Sequence, residues 1–210
     1  RCVELVRNPE RRKQVEQAAL RTIAQYPQAQ WMQAVLSEEA SAADAVDVQA
    51  WYQAGFEYQQ ATQLDLALTA YQKVLHHQPD HFNAANMLAT VLVQLGRNAE
   101  AVRAFDRVLS LDASYAITYH NRAVALENLG RQDEALAGYS RAIELDPNYV
   151  SAYLSRGNLR LTLHRLPEAL EDFERALELS PTHIELYDRR GVVLSRLKQH
   201  KKAIDSYTQA

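Results

Sequence analysis

The chain has 210 residues and a formal net charge of −3, with 23 Lys and Arg against 26 Asp and Glu. Such a balance gives no general attraction to nucleic acid or to anionic membranes, so we expect neither as a partner. The single cysteine, Cys2, excludes an intramolecular disulfide and a cysteine-based metal site. No apolar stretch is long enough for a membrane span and no signal peptide is visible, which favours the cytoplasm.

The first 47 residues do not follow the periodic pattern of the rest of the chain. Pro9 suits the first turn of a helix, and residues 10–26 predict a helix with one apolar face. Pro27 interrupts it, and the alanine- and glutamine-rich residues 28–45 predict a second helix. Two roles remain open for residues 1–47. They form a helical cap or degenerate repeat that covers one end of the periodic part of the chain, or they form a segment with its own partner.

From residue 48 onward, residue types recur every 34 positions. An alanine column consists of Ala67, Ala101, Ala135, Ala169 and Ala203. Four residues later comes an aromatic column of Tyr71, Phe105, Tyr139, Phe173 and Tyr207. A small-residue column consists of Gly55, Ala89, Ala123, Gly157 and Gly191. Repeats of this length in one register predict a stacked array.

Each unit reads as a helix, a tight turn and a second helix. The second half of each unit has apolar residues at helical i, i+3, i+4 spacing, and Gly96 and Gly130 suit helix C-caps at the turn. We expect the small-residue column to let two backbones approach, with the alanine column facing it. The predicted helix pairs are 48–61/64–77, 82–95/98–111, 116–129/132–145, 150–163/166–179 and 184–197/200–210.

This pattern closely resembles the tetratricopeptide repeat (TPR), whose signature has the same order of aromatic, small residue, alanine, aromatic and closing proline. The resemblance covers Val48 to Ala210. It implies an all-α, right-handed superhelical α-solenoid of stacked antiparallel helix pairs. The implied repeats are 48–81, 82–115, 116–149, 150–183 and an incomplete 184–210.

One departure from the family pattern recurs just before the small residue. The usual leucine is present as Leu88 but is replaced by Arg122, Arg156 and Arg190 in later units. We expect the arginine stems to pack between helices while the guanidinium groups reach polar partners, with Asp172 as the partner of Arg156.

The sequence stops inside the second helix of its fifth repeat, without a polar capping helix. An array of repeats needs terminal caps to cover its apolar faces. We therefore expect further residues in a longer protein, and open repeat ends make self-association a further possibility.

Candidate catalytic and metal-binding groups are sparse. His76, His77 and His81 cluster near Asp80, but Pro79 places them on a surface turn, and the column position of His81 favours ring packing between units. No nucleophile triad, paired-carboxylate site or phosphate-binding glycine loop is present. We expect no enzyme activity, no catalytic residues, no metal and no cofactor.

Function is expected on the concave side, which the first helices line in this family. The positions that avoid the buried columns are rich in amides, which suit the alternating donors and acceptors of an extended peptide. Apolar members of the same surface would take side chains. The predicted peptide-binding groove comprises Tyr52, Phe56, Asn86, Thr90, His120, Asn121, Val124, Leu154 and Asn158.

Two functions from different classes follow from the resemblance. The first is a protein–protein interaction scaffold, and the second is a substrate-recruiting domain of a larger enzyme, such as a glycosyltransferase. The lysine- and asparagine-based clamp that some TPR proteins use for acidic chaperone tails is missing, because the matching positions hold Tyr52 and Phe56, or Asn86 and Thr90. Of the asparagine ladder found in glycosyltransferase arrays, only Asn121 matches well.

Overall fold

The computed structural model describes residues 47–210, in which all regular structure is helical. The contacts of the chain divide it into residues 1–47 and 48–210. The helices and cap predicted before residue 47 lie outside the described residues. The helices described are α1 Val48–Gln60, α2 Leu64–His77, α3 Phe82–Gln94, α4 Asn98–Leu111, α5 Ala116–Asn128, α6 Gln132–Leu145, α7 Val150–Thr162, α8 Leu166–Leu179, α9 Ile184–Arg196 and α10 His200–Gln209.

These ten helices form five pairs, and they confirm the predicted helix pairs. Each first helix ends one residue earlier than predicted, while the first four second helices have the predicted bounds. Each pair packs on the next through its second helix, which contacts the following first helix. Residues 48–210 are therefore an α-solenoid built by repetition of one helix hairpin.

The turn inside each pair has one residue in the left-handed backbone region. Gly96 and Gly130 have φ angles of +73° and +75°, as the C-cap interpretation requires. Thr62, His164 and Lys198 occupy the same position of other turns with φ near +60°. A side chain in this conformation costs about 1 kcal/mol, so the hairpin geometry is imposed by helix packing even where glycine is absent.

The alanine and aromatic columns form the interior of the array. All five alanines are buried, and the aromatic rings are buried in the first four units. Tyr207, in the fifth unit, is 44% exposed. Across the junction between the last two units, Phe173 and Leu177 share one apolar cluster with Leu186 and Val193 of the next first helix. The core therefore continues from unit to unit instead of closing within one.

The small-residue column lies against the aromatic column of its own unit. A Cβ atom at Gly157 would lie 2.7 Å from Cε1 of Phe173, and one at Gly191 would lie 2.5 Å from Cε1 of Tyr207. Such separations are shorter than van der Waals contact, so a ring sits where a side chain would be. Glycine at these positions therefore makes room for an aromatic ring of its own unit.

Arg156 and Asp172 form a buried ion pair that confirms the sequence prediction. Nη2 of Arg156 donates to Oδ1 of Asp172 over 2.7 Å, and its Nη1 donates to Ser140 Oγ on the previous second helix. Arg160 Nη1 donates to Oδ2 of the same carboxylate, which is 2% exposed. One buried carboxylate thus holds two arginines of α7, and Arg156 also links α7 to the unit before it.

The other two arginines of this column also reach polar partners. Arg122 Nε donates to Asp106 Oδ1 over 2.7 Å, across the junction with the previous unit. Arg190 Nε donates to Ser206 Oγ over 3.0 Å, and its guanidinium lies 5.2 Å from the Tyr187 ring centroid. All three arginines therefore join helices instead of projecting freely into solvent.

We predict that Ala135→Leu and Gly157→Leu each destabilise the protein by about 1–3 kcal/mol, because both positions are filled by neighbouring atoms. The matched control is Ala137→Leu, an exposed position on the same helix as Ala135. Urea unfolding followed by circular dichroism measures the difference. Equal midpoints for Ala135→Leu and Ala137→Leu would contradict the packing described above.

We predict that Asp172→Ala costs more stability than Arg156→Met. Removing the carboxylate leaves two poorly exposed arginines unpaired, at about 3–5 kcal/mol, whereas Arg156→Met leaves Asp172 bonded to Arg160. Unfolding free energies of the two variants and of the double variant test this order. A smaller loss for Asp172→Ala than for Arg156→Met would show that the pair does not stabilise the helix junction.

Candidate peptide-binding groove

The predicted groove residues occupy equivalent positions on successive first helices. Tyr52 and Phe56 lie on α1, and the members on later helices follow at intervals close to 34 residues. Phe56 is the most open, at 44% exposed, and most other members are half-buried. Neighbouring residues of the protein therefore cover part of each of these side chains, which distinguishes this surface from a freely solvated helix face.

At the first unit, ring packing holds Tyr52. Its ring centroid lies 5.9 Å from that of Tyr71 and 5.3 Å from that of His81, on which it stacks. His81 is itself fixed because its Nδ1 accepts a hydrogen bond from the backbone N–H of Ala84 at the start of α3. The predicted ring-packing role of His81 is confirmed.

In the second unit, Asn86 is buried instead of open. It is 4% exposed, and its Oδ1 accepts a hydrogen bond from Thr118 Oγ1 of the next unit over 3.3 Å. Thr90 donates its hydroxyl to the backbone oxygen of Asn86 over 2.9 Å. Asn86 therefore links adjacent first helices beneath the groove surface, because α3 packs directly against α5.

His120 lies at the centre of the groove, between the third and fourth units. Its Nε2 is 3.0 Å from Ser155 Oγ, and its Nδ1 is 3.2 Å from Asn121 Oδ1. The ring lies 5.5 Å from the Tyr139 centroid and 5.2 Å from the Tyr149 centroid. Burial lowers the pKa of His120, so the ring favours its neutral form.

A carboxylate near this histidine is already occupied. The Tyr139 hydroxyl donates to Oε2 of Glu127 over 2.7 Å. Burial raises the pKa of Tyr139, and the hydrogen bond to Glu127 raises it further. Glu127 therefore accepts the hydrogen bond of a buried phenol close to the central groove.

Most charged side chains of the other first helices are paired, and Glu57 of α1 is exposed and accepts a hydrogen bond from Gln53. Helix α3 contains no Asp, Glu, Lys or Arg. Arg122 pairs with Asp106, and Arg156 pairs with the buried Asp172. Over the first four units, the groove lining therefore consists of amide, hydroxyl, imidazole, aromatic and aliphatic groups, with no formal charge among its nine predicted residues.

Asn158 adds an unmet hydrogen-bonding group at the fourth unit. Its Oδ1 is buried and has no hydrogen-bond partner among the described residues. Unpaired buried polar atoms are uncommon because each loses its hydrogen bonds to water without replacement. With half-buried Leu154 one turn earlier on α7, it combines a polar and an apolar contact point.

The histidines near residue 80 are used in ring contacts. The ring of His77 lies 4.9 Å from that of Trp51 and 5.0 Å from that of His76. Within residues 47–210, no group of three or more His, Cys, Asp or Glu residues could hold a metal ion. None of the described helices is both long and apolar enough to cross a membrane.

Sequence reasoning missed the residues that tie His120 and Asn86 to neighbouring units. Ser155 and Thr118 each lie on the following first helix, 35 and 32 residues further along the chain. A separation close to the repeat length is the signal that could have identified them, because such residues lie side by side in adjacent units. Tyr149 belongs to the column of His81, for which ring packing between units was predicted, and its ring centroid lies 5.2 Å from that of His120.

The fold and this lining define a helical-repeat protein of the kind that presents an extended surface to other proteins. Comparison with known families matches the tetratricopeptide repeat over residues 52–116, 86–150 and 120–184, and again over 184–210. The chain therefore belongs to the tetratricopeptide-repeat family, a typically non-catalytic interaction fold whose members bind protein partners. No curated protein is matched by sequence.

Solved structures of TPR proteins share the fold at low identity. MamA residues 41 to the end, from Desulfovibrio magneticus RS-1, is 19% identical with a TM-score of 0.71, covering 79% of this chain and 93% of that one. PilF of Pseudomonas aeruginosa is 22% identical with a TM-score of 0.71, covering 77% and 74%. YrrB, described as a TPR protein with an unusual peptide-binding site, is 23% identical with a TM-score of 0.62, covering 78% and 84%.

We predict that stability falls as the pH drops below about 6.5, partly through His120. The pKa of His120 is lowered in the folded protein, so the unfolded chain binds the proton more tightly and acid favours unfolding. The groups around the ring are Tyr139, Tyr149, Ser155 and Asn121, with Glu127 behind Tyr139.

Unfolding free energies at about pH 7.5 and about pH 5.5 measure this effect. His120→Gln should reduce the loss on acidification, whereas the exposed His200→Gln serves as a control and should leave it unchanged. An identical pH dependence in His120→Gln and the parent would show that the ring does not resist protonation.

Proposed function

We propose that this protein is an interaction scaffold that binds an extended, uncharged segment of a partner protein along the first helices of its repeats. The observation that carries the proposal is the lining: apart from the buried Asn86, its predicted residues are exposed or half-buried amide, hydroxyl, imidazole and apolar groups, and none of them carries a formal charge. A desolvated charge would oppose burial of a neutral backbone.

The lining offers both kinds of contact that an extended segment needs. Asn121 and Asn158 carry amide groups that can pair with backbone donors and acceptors. Phe56, Val124 and Leu154 can cover apolar side chains of the ligand.

The repeat geometry sets the length of the ligand. Helices that pack directly lie about 8–10 Å apart, and an extended chain advances about 3.3 Å per residue. Each unit would therefore contact roughly three residues of the segment. Four units correspond to about 12 residues, and the peptide-binding description of YrrB agrees with this type of ligand.

The alternative function is that of a substrate-recruiting domain of a larger enzyme. It would use the same groove, but the repeats would be joined to a catalytic domain outside this chain. The asparagine ladder of glycosyltransferase arrays is represented only by Asn121, whereas Gln53, Met87 and Ser155 occupy the other positions. The scaffold proposal is therefore the better supported of the two.

The test uses the 210-residue chain and a displayed library of random peptides of about 12 residues. Selected peptides are titrated against the parent and against Phe56→Ala combined with Asn158→Ala. We predict about tenfold weaker binding by the variant, because an apolar contact and a hydrogen bond are lost. Asn121→Ala is less suitable, because Asn121 Oδ1 also holds His120.

The matched control is Leu66→Ala combined with Asn148→Ala. Leu66 is 43% exposed on a second helix, close to the 44% of Phe56, and Asn148 lies in a turn between units. The control should bind like the parent, and neither pair should shift the melting temperature strongly. Binding that survives in the groove variant, or that collapses between low and moderate salt, would place the site on a charged outer face.

A further inference from the structure

The fifth unit carries a cluster of positive charge that the other units lack. Residues 184–210 contain six Lys and Arg against three Asp and Glu, whereas residues 48–183 contain 11 against 16. Four of the six, with one histidine, fall within seven residues around the turn between α9 and α10. We call this cluster the basic patch, and it consists of Arg196, Lys198, His200, Lys201 and Lys202.

The earlier units are neutral or carry a single net negative charge at this place. Their second helices begin with acidic residues, and three of these are bound by an arginine three residues earlier. Those ion pairs are Arg97–Glu100 at 2.7 Å, Arg131–Glu134 at 2.6 Å and Arg165–Glu168 at 2.9 Å. In the fifth unit, Gln199 replaces the arginine and Lys202 replaces the glutamate. The ion pair is therefore absent, and a positive side chain stands where those three units have a negative one.

Local stability does not account for this reversal. Lysines in the first turn of a helix oppose the helix dipole, at a cost of about 0.3–1 kcal/mol each. No carboxylate in the described part of the chain forms an ion pair with Arg196, Lys198, Lys201 or Lys202, and all four side chains are exposed. The patch is thus a concentrated positive surface without internal compensation.

We propose that the basic patch is a second docking surface, separate from the groove, for an acidic segment of a partner protein. The seven residues 196–202 lie at the turn between α9 and α10 and span a short distance. A peptide segment with only a few carboxylates is long enough to contact all of their positive groups. Lysine ammonium groups on flexible stems can adjust to such a run without a fixed geometry. The positions of Arg196, Lys198 and Lys201 are exposed in every earlier unit as well, so the stacking of repeats leaves them accessible.

The charge of the neighbouring units favours a short acidic peptide over a nucleic acid. An extended polyanion that runs from the patch towards the preceding units would meet residues 48–183, where acidic side chains outnumber basic ones. Like-charge contacts of this kind oppose binding of a long phosphate backbone. A segment with only a few carboxylates can be confined to the patch and avoids that repulsion.

The test measures binding of a fluorescent octaglutamate peptide to the 210-residue chain by fluorescence polarisation at low salt. The patch variant combines Lys198→Gln, Lys201→Gln and Lys202→Gln. The control combines Arg103→Gln, Arg107→Gln and Arg175→Gln, which removes the same charge from exposed positions elsewhere. We expect at least tenfold weaker binding by the patch variant and less than twofold weaker binding by the control.

Two further probes decide between partner classes. A single-stranded oligothymidine and vesicles containing phosphatidylserine should bind more weakly than octaglutamate, and the groove variant with Phe56→Ala and Asn158→Ala should bind octaglutamate like the parent. Equal losses in the patch and control variants, absence of octaglutamate binding at low salt, or tighter binding of either further probe would overturn the proposal. Melting curves of all variants check that folding is retained.

Discussion

The contact between an aromatic ring and a glycine, seen in the first, fourth and fifth helix pairs, is the constraint on which the array depends. Phe173 lies where a Cβ of Gly157 would be, and the same relation holds for Tyr71 and Gly55. Close approach of this kind buries the ring and sets the distance between the two helices, because interiors tolerate neither voids nor overlap. Repetition of that contact reproduces the same hairpin and therefore the same stacking.

Where the small residue changes, its surroundings change with it. Ala123 replaces glycine in the third unit, and there a Cβ at Gly138 would lie 2.9 Å from the Ala123 Cβ. In the fourth unit, Gly157 is glycine and the position equivalent to Gly138 holds Asp172. The side chain that replaces Gly138 in the fourth unit is therefore the carboxylate that binds Arg156 and Arg160.

Because these contacts fix the backbone, residues outside the columns are free to differ between units without loss of the fold. The groove combines an exposed ring at Phe56, a buried histidine network at His120 and an unpaired amide oxygen at Asn158. In the fifth unit, the first turn of the second helix has lysines and no acidic residue, unlike the second helices of the other units. A repeat scaffold can therefore carry a neutral groove and a basic patch on one chain, with different chemistry at each.

The sequence by itself determined the helix pairs to within a residue at nearly every end, the buried columns and the partner of Arg156, because a 34-residue period fixes which residues face a neighbouring helix. Only the tertiary structure showed that the aromatic column lies on the glycines, that Asn86 is buried against Thr118 and that His120 contacts Ser155. These contacts depend on crossing angles, helix spacing and side-chain rotamers, which periodicity leaves open. The 34-residue repeat shows on which face of its helix a residue lies. Which residue of the neighbouring helix it contacts depends on the distance and angle between the two helices.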